Sequence, residues 1–98
     1  MKKVTKKNEG EKAIIVVYGK DRTGIIYNIT KVLYENNINV LDIKQTVVSG
    51  YFNMMAIVDI EKVKDFKPVK QGLDEYSKKS GLNINFQLED AFNVMHSV

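Results

Sequence analysis

The chain changes from a strand into a helix at the octad Gly19-Lys20-Asp21-Arg22-Thr23-Gly24-Ile25-Ile26. Residues 13–18 before it form an unbroken, largely β-branched apolar run, which predicts a buried strand. After it, apolar residues at 25, 29, 32 and 33 follow helical spacing. Two glycines let the backbone approach a ligand closely, and the N–H groups of a first helical turn favour an anion such as a carboxylate. The octad therefore predicts a turn that can hold a small molecule.

The same octad is also compatible with a purely structural turn. Strand-to-helix turns are common in α/β proteins, and the side chains of Asp21 and Thr23 both suit a helix cap. The octad lacks the Lys-Ser/Thr ending of a P-loop and the third glycine of a dinucleotide-binding fingerprint. Nucleotide binding is therefore not indicated, whereas ligand binding and simple capping both remain open.

The composition predicts one soluble globular domain. The chain has 98 residues, of which 44% are hydrophobic and 28% charged. It contains no apolar run long enough to cross a bilayer, and the basic start leads into no signal-peptide pattern. The absence of cysteine excludes disulfides, cysteine-ligated zinc and thiol catalysis. A cytoplasmic location without membrane association fits these features.

The formal charge of +3 is concentrated at the start of the chain. Residues 1–12 contain five lysines and two glutamates, whereas the charges of residues 13–98 balance. We expect residues 1–11 to be a disordered basic tail and residues 12–98 to be a single domain, the alternative for the tail being a phosphate-binding arm. A folded body without basic excess does not predict nucleic-acid binding.

The first helix, over 24–36, is expected to end at Asn36-Asn37, since asparagine tolerates the left-handed conformation. Strand two follows over 38–48. Its alternation slips by one residue at Val40-Leu41, which predicts a bulge, and its polar second half suits a sheet edge. Ser49-Gly50-Tyr51 predicts a tight hairpin into an apolar strand three.

The second helix is expected over 65–80, with Pro68 in its first turn and Gly81 as its C-terminal cap. Gly72 lies in its middle, where glycine indicates close packing. Strand four, 82–88, alternates regularly between apolar and polar residues, and the acidic pair Glu89-Asp90 can begin a short terminal helix through Met95.

The element order β-α-β-β-α-β predicts a ferredoxin-like α+β sandwich. It comprises an antiparallel four-stranded sheet of order 4-1-3-2, two helices on one face and a short C-terminal helix. Strands one and three are apolar on both faces and should form the centre. Met55, Ile57 and the second face of strand one then lie on the helix-free side, where the terminal helix or a second subunit could cover them.

No constellation of residues indicates catalysis, a metal or another cofactor. His96, the single histidine, is near the C-terminus, and the adjacent acids of Asp74-Glu75 suit a solvated helix face. Residues 49–54 begin like the third strand of an RNA-recognition module, but they lack its leading basic residue and later aromatics. Arg22 follows strand one, as in an acylphosphatase, yet the rest of that family's loop is missing. We therefore expect a protein that is not an enzyme.

Three blocks resemble a known family, namely the octad, residues 37–46 (Asn-Ile-Asn-Val-Leu-Asp-Ile-Lys-Gln-Thr) and residues 51–54 (Tyr-Phe-Asn-Met). In this order and spacing they look like the ACT domain, and more narrowly like the small free-standing single-ACT proteins of bacteria and archaea. The ending, residues 89–96, is similar to that subgroup too, so the resemblance covers residues 12–96. Many ACT domains have proline where this chain has Thr23.

The resemblance implies a regulatory module that binds an amino acid or a similar metabolite at a homodimer interface. It implies ligand-binding residues at the turn and on strand two, the latter from the same chain or its partner: Gly19, Lys20, Asp21, Arg22, Thr23, Gly24, Ile25, Asn39 and Gln45. Helix N–H groups would hold a carboxylate and Asp21 an ammonium group, although Asp21 can equally cap the helix and Asn39 can simply lead into the strand. With no attached effector domain, the signal would pass to a separate protein. The alternative is a structural or protein-interaction domain without a working ligand site.

Overall fold

The computed structural model describes residues 11–89. The elements follow the expected order: β1 (Lys12–Lys20), α1 (Ile25–Glu35), β2 (Asn39–Val48), β3 (Tyr51–Asp59), α2 (Lys67–Ser80) and β4 (Asn83–Leu88). Their ends differ from the sequence-based expectation by one or two residues, as is usual for element boundaries. The expected tail over 1–10 and the expected terminal helix beyond Glu89 lie outside the described residues.

The four strands form one antiparallel sheet of order β2-β3-β1-β4. This is the expected order, read from the other edge, and it confirms the ferredoxin-like fold. β1 and β3 are central because both are apolar on both faces and so tolerate neighbours on every side. Both helices pack on one face, where their buried side chains join those of the strands in one core.

The irregularity expected in β2 is present. Val40 pairs with Val58 and Asp42 with Ile57, so Leu41 is the extra residue of a bulge. β2 is an edge strand, and every residue after Val40 is exposed. The free edge of the sheet is therefore long and partly apolar, which is the usual mark of a strand available for pairing.

Positive φ angles mark the expected turns. Val48 pairs with Tyr51 across Ser49 (φ 52°) and Gly50 (φ 81°), which gives a two-residue hairpin of the primed type. Asn37 (φ 60°) follows α1, and Gly81 (φ 80°) closes α2 by donating its N–H to the Ser77 carbonyl at 2.8 Å.

The two helices approach each other closely at Gly72. A Cβ atom added there would lie 3.0 Å from Cγ1 of Val32 on α1. The mid-helix glycine therefore reflects close packing, as its position in the sequence indicated. Among residues 11–89, neither helix has the length and apolar character required to cross a membrane.

Candidate functional site

The strand-to-helix turn sits tightly against the rest of the fold. Gly19 has φ 151° and Gly24 has φ 88°, so both glycines adopt a backbone conformation that other residues rarely take. A Cβ atom on Gly19 would lie 2.9 Å from Cδ2 and 3.3 Å from Cα of Leu82, the residue that precedes β4. The first glycine is therefore required for close contact between two backbone segments.

Two hydrogen bonds hold the turn from opposite sides. The Asp21 N–H donates to the Gly50 carbonyl in the β2–β3 hairpin at 2.9 Å. The Arg22 guanidinium donates through Nη1 to the carbonyl of Ser80, the last residue of α2, at 3.3 Å. A cation at that position is favourable because the carbonyl end of a helix carries partial negative charge. Arg22 thus has a structural partner in addition to its expected ligand role.

The alternative that Asp21 or Thr23 caps α1 with its side chain is wrong. The N-cap is Gly24 in the left-handed conformation, and no side chain caps the N–H groups. The reason is positional, because Asp21 and Thr23 precede the cap, which must itself carry the accepting side chain. Asn28 instead reaches back from within the helix, and its Nδ2 donates to the Gly24 carbonyl at 2.7 Å.

The uncapped helix start leaves donors available. Within residues 11–89, the N–H groups of Ile25, Ile26 and Tyr27 have no hydrogen-bond acceptor. Free N–H groups at a helix start, reinforced by the helix dipole, form a site for a carboxylate or another small anion. The first turn of α1 therefore presents the free backbone N–H groups on which the predicted ligand site depends, and ligand binding there stays a prediction.

The side chains around these donors differ in their accessibility. Lys20, Asp21, Arg22 and Thr23 are exposed. Ile25 is only 3% exposed and belongs to the core, so it can offer a ligand its N–H group but not its side chain. Exposed groups of both signs beside free N–H donors suit a ligand that carries both charges.

Asn39 does not lie near the turn of its own chain. It pairs with Asp59, which pairs with Lys12 at the start of β1, whereas the turn begins beside the Lys20–Tyr51 pair. The eight residue-to-residue steps from Tyr51 to Asp59 span about 27 Å at ~3.4 Å each. One chain therefore does not bring Asn39 and the turn into one site.

Gln45 lies between these two ends. It pairs with Met54, which pairs with Val17, and thus it lies on the helix side of the sheet but exposed at the edge. By strand register it is closer to the turn than Asn39 is.

Asn39 lines a depression of about 400 Å³ that the sequence analysis did not predict. It lies where the end of α1 meets the start of β2 and the end of β3, and its lining residues are Tyr34, Asn37, Ile38, Asn39, Asp59, Glu61 and Lys62. Among these residues, only Asn39 was named as ligand-binding in the sequence analysis. The depression itself could not be predicted, because it is formed by segments that are far apart in sequence. Its lining contains amide, carboxylate, phenol and ammonium groups.

The described part of the chain offers no metal centre. No group of three or more His, Asp or Glu side chains in residues 11–89 has the arrangement to hold an ion. Asp74 forms an exposed ion pair with Lys78 at 3.2 Å, and Glu75 accepts a hydrogen bond from Gln71 at 3.4 Å. Both acids therefore belong to the solvated face of α2, and His96 lies outside the described residues.

Comparison with known proteins identifies relatives over almost the whole fold. A family model described as the ACT domain matches residues 11–87. A UPF0237 protein of Clostridium perfringens is 45% identical over 88% of this chain and 98% of its own length, and one of Methanocaldococcus jannaschii is 42% identical over 89% and 98%. The solved ACT domain protein from Streptococcus pneumoniae is 35% identical, with a TM-score of 0.71 over 84% of this chain and 93% of that one. The chain therefore belongs to the family of small single-domain ACT proteins of bacteria and archaea, and ACT domains typically have regulatory, ligand-binding roles.

Proposed function

We propose that this protein is a non-catalytic, cytoplasmic regulatory module that binds a small carboxylate-bearing metabolite, an amino acid in the first instance. The observation that carries the proposal is the uncapped start of α1, where Ile25, Ile26 and Tyr27 present free N–H groups. These donors suit a carboxylate, and the exposed carboxylate of Asp21 next to them suits an ammonium group. The hydrogen bonds from Asp21 and Arg22 keep the turn in place, which lowers the entropic cost of binding.

The proposed site lies at the interface of a homodimer. β2 is a sheet edge with Leu41, Val47 and Val48 at 46%, 55% and 63% exposure, so pairing of two β2 strands would bury apolar area and satisfy the free backbone groups. An antiparallel pair with its two-fold axis between Ile43 and Lys44 places the partner subunit's Asn39 opposite Val48.

This pairing brings the two separated parts of the site to the same end of the joint sheet. Val48 pairs with Tyr51, and Tyr51 pairs with Lys20 at the beginning of the turn. The polar depression of one chain would then face the turn of the other. The ligand would bridge two subunits, so its binding would stabilise the dimer or one arrangement of it, and a separate effector protein would recognise that arrangement.

The exposed apolar edge also favours a second candidate, a structural or protein-interaction domain that has lost ligand binding. Leu41, Val47 and Val48 would serve such an interface equally well. The two functions differ in one property, which is whether a small molecule stabilises the folded protein.

The test is the melting temperature of a sample of known oligomeric state, with and without each of the twenty amino acids. A ligand at 100 times its dissociation constant adds about 2.7 kcal/mol, which raises the melting temperature of a domain of this size by roughly 10 °C or more. A concentration-dependent rise with a specific amino acid would support the proposal and identify the ligand class. If none of the twenty raises it, amino-acid sensing is wrong and the interaction domain becomes the better account.

A further inference from the structure

The helix-free face of the sheet is unevenly exposed. Ile14 and Tyr18 are on this face of the same central strand, four residues apart. Ile14 lies in register between Ile57 and Gln87, and it is only 7% exposed. Tyr18 lies in register between Asn53 and Asn83, and it is 45% exposed. The end of the face near Ile14 is therefore shielded from solvent and the end near Tyr18 is not.

Neither helix among residues 11–89 accounts for this shielding. Both helices cover the opposite face, and Ile14 is absent from the core cluster that they form with the sheet. Ile57 and Gln87 flank Ile14 within the sheet, and because strand side chains stand roughly perpendicular to the sheet, these neighbours enclose Ile14 chiefly from its sides. Met55, one register position further along the same face, is 45% exposed although it too has flanking neighbours.

We propose that residues 90–98 of this chain pack across the helix-free face over the row formed by Gln87, Ile14 and Ile57. The position of β4 supports this segment as the occupant. β4 ends at Leu88, which pairs with Ala13. The chain therefore leaves the sheet directly beside Ile14, and its backbone is already helical at Glu89.

The composition of the two termini also favours residues 90–98, rather than residues 1–10, as the segment that covers this face. Ala91, Val94, Met95 and Val98 have the i, i+3, i+4, i+7 spacing of an apolar helical stripe, with Phe92 beside it. Asp90, Asn93 and Ser97 would lie on the opposite side. Residues 1–10 contain four lysines and only two apolar residues with large side chains, Met1 and Val4. The C-terminal segment is thus the better match for an apolar surface.

The dimensions agree as well. The nine residues 90–98 would extend about 13.5 Å as a helix at ~1.5 Å per residue. The distance from β4 across β1 to β3 is about 10 Å, or two strand spacings. The segment can therefore cross the row at Ile14 while leaving the face around Tyr18 and Met55 open.

The absence of cysteine from the chain allows a direct test with single introduced thiols. We would compare I14C with Y18C, which are on the same strand and face, by the rate at which a thiol reagent labels the folded full-length protein. We expect the thiol of I14C to react at least roughly tenfold more slowly than that of Y18C, because it reacts only through local opening. The double change F92S and M95S should then raise the I14C rate about tenfold and leave the Y18C rate unchanged.

The controls separate the possible occupants of this surface. V4S in the I14C background tests the N-terminal residues, and the labelling rate at several protein dilutions tests a second copy of the chain. A rate that responds to V4S or to dilution, but not to the changes at 92 and 95, would overturn the proposal. If the double variant loses its circular dichroism signal, M95S alone serves in its place, and an unchanged I14C rate in that folded variant also overturns it.

Discussion

Asp21 and Gly50 are joined by a 2.9 Å hydrogen bond from the Asp21 N–H to the Gly50 carbonyl. The bond connects the turn that we propose as the ligand site to the tip of the β2–β3 hairpin. Gly50 has φ 81°, and a Cβ atom added there would contact nothing within 4 Å. The requirement for glycine at this tip is therefore conformational rather than steric.

Gly50→Ala should destabilise the protein by about 1 kcal/mol, since a residue with a Cβ atom in the left-handed region is strained. Gly50→Asn is the matched control, because asparagine adopts the left-handed region more readily. It should lower the free energy of unfolding clearly less than alanine does. Urea unfolding measures both free energies, and amide exchange at Asp21 should become faster in the alanine variant. Equal stability of the two variants would contradict the conformational explanation.

Gly72→Ala should also destabilise the protein, by about 1 kcal/mol. Alanine favours a helix by about 1 kcal/mol over glycine, but overpacking costs ~1–3 kcal/mol, and the new Cβ atom would meet the stiff Val32 side chain at 3.0 Å.

The control for this prediction is the same change in a Val32→Ala background. Removing the valine methyl groups makes room for the new Cβ atom, so Gly72→Ala should there become stabilising by about 0.5–1 kcal/mol. A double-mutant cycle from chemical unfolding measures the reversal of sign. If Gly72→Ala destabilises the protein equally in both backgrounds, the 3.0 Å contact with Val32 is not the reason that alanine is unfavourable at this position.

Asp21→Ala should leave the free energy of unfolding within about 0.5 kcal/mol of the parent, because the exposed Asp21 makes its bond to Gly50 through the backbone. The same change should weaken binding of an amino acid at least roughly tenfold, since its ammonium group loses a charged partner. Isothermal titration calorimetry measures the affinity.

Asp74→Ala on α2 is the control for this prediction, because it removes the same charge from an exposed pair with Lys78. It should affect neither binding nor folding appreciably. If Asp21→Ala and Asp74→Ala bind the ligand equally well, Asp21 does not contact it.

Val47→Lys should weaken the proposed dimer without unfolding the monomer. Val47 is 55% exposed on the edge strand, so the new charge is solvated in a single chain. In the proposed β2–β2 pair it would lie opposite the partner subunit's Val40 and lose part of its hydration against an apolar side chain. Sedimentation equilibrium should show an increase in the dissociation constant of at least roughly tenfold, and circular dichroism should be unchanged. Gln71→Lys introduces the same charge at an exposed position on α2, which packs against β4 at the opposite edge of the sheet, and should leave association unaffected. An equal effect of both variants would exclude the edge strand as the interface.

Much of the architecture could be predicted because the signals are local. The bulge at Leu41 follows from one slip in the alternation of β2, and the hairpin at Ser49 and Gly50 follows from residues that tolerate positive φ. Such patterns depend on the neighbouring backbone alone. The match over residues 11–87 with the ACT domain agrees with the family suggested by the octad and the two blocks that follow it.

The candidate site was predictable only in part. The turn itself was identified, but the helix start is held by Asn28, and Arg22 bonds to Ser80, 58 positions away. The octad could predict neither the bond from Asn28 nor the bond to Ser80, because several side chains near a helix start can form hydrogen bonds with the turn. Packing of the surrounding elements decides which of them does.

The sequence by itself therefore determined the order of the elements, the turn between β1 and α1, and the family, since periodicity, turn residues and motif spacing are properties of short segments. The tertiary structure alone decided that Asn39 and the turn lie at opposite ends of one chain's sheet, and that Ile14 is shielded whereas Tyr18 on the same face is not. These relationships depend on strand register and on packing between segments that are distant in sequence, and no local pattern encodes them.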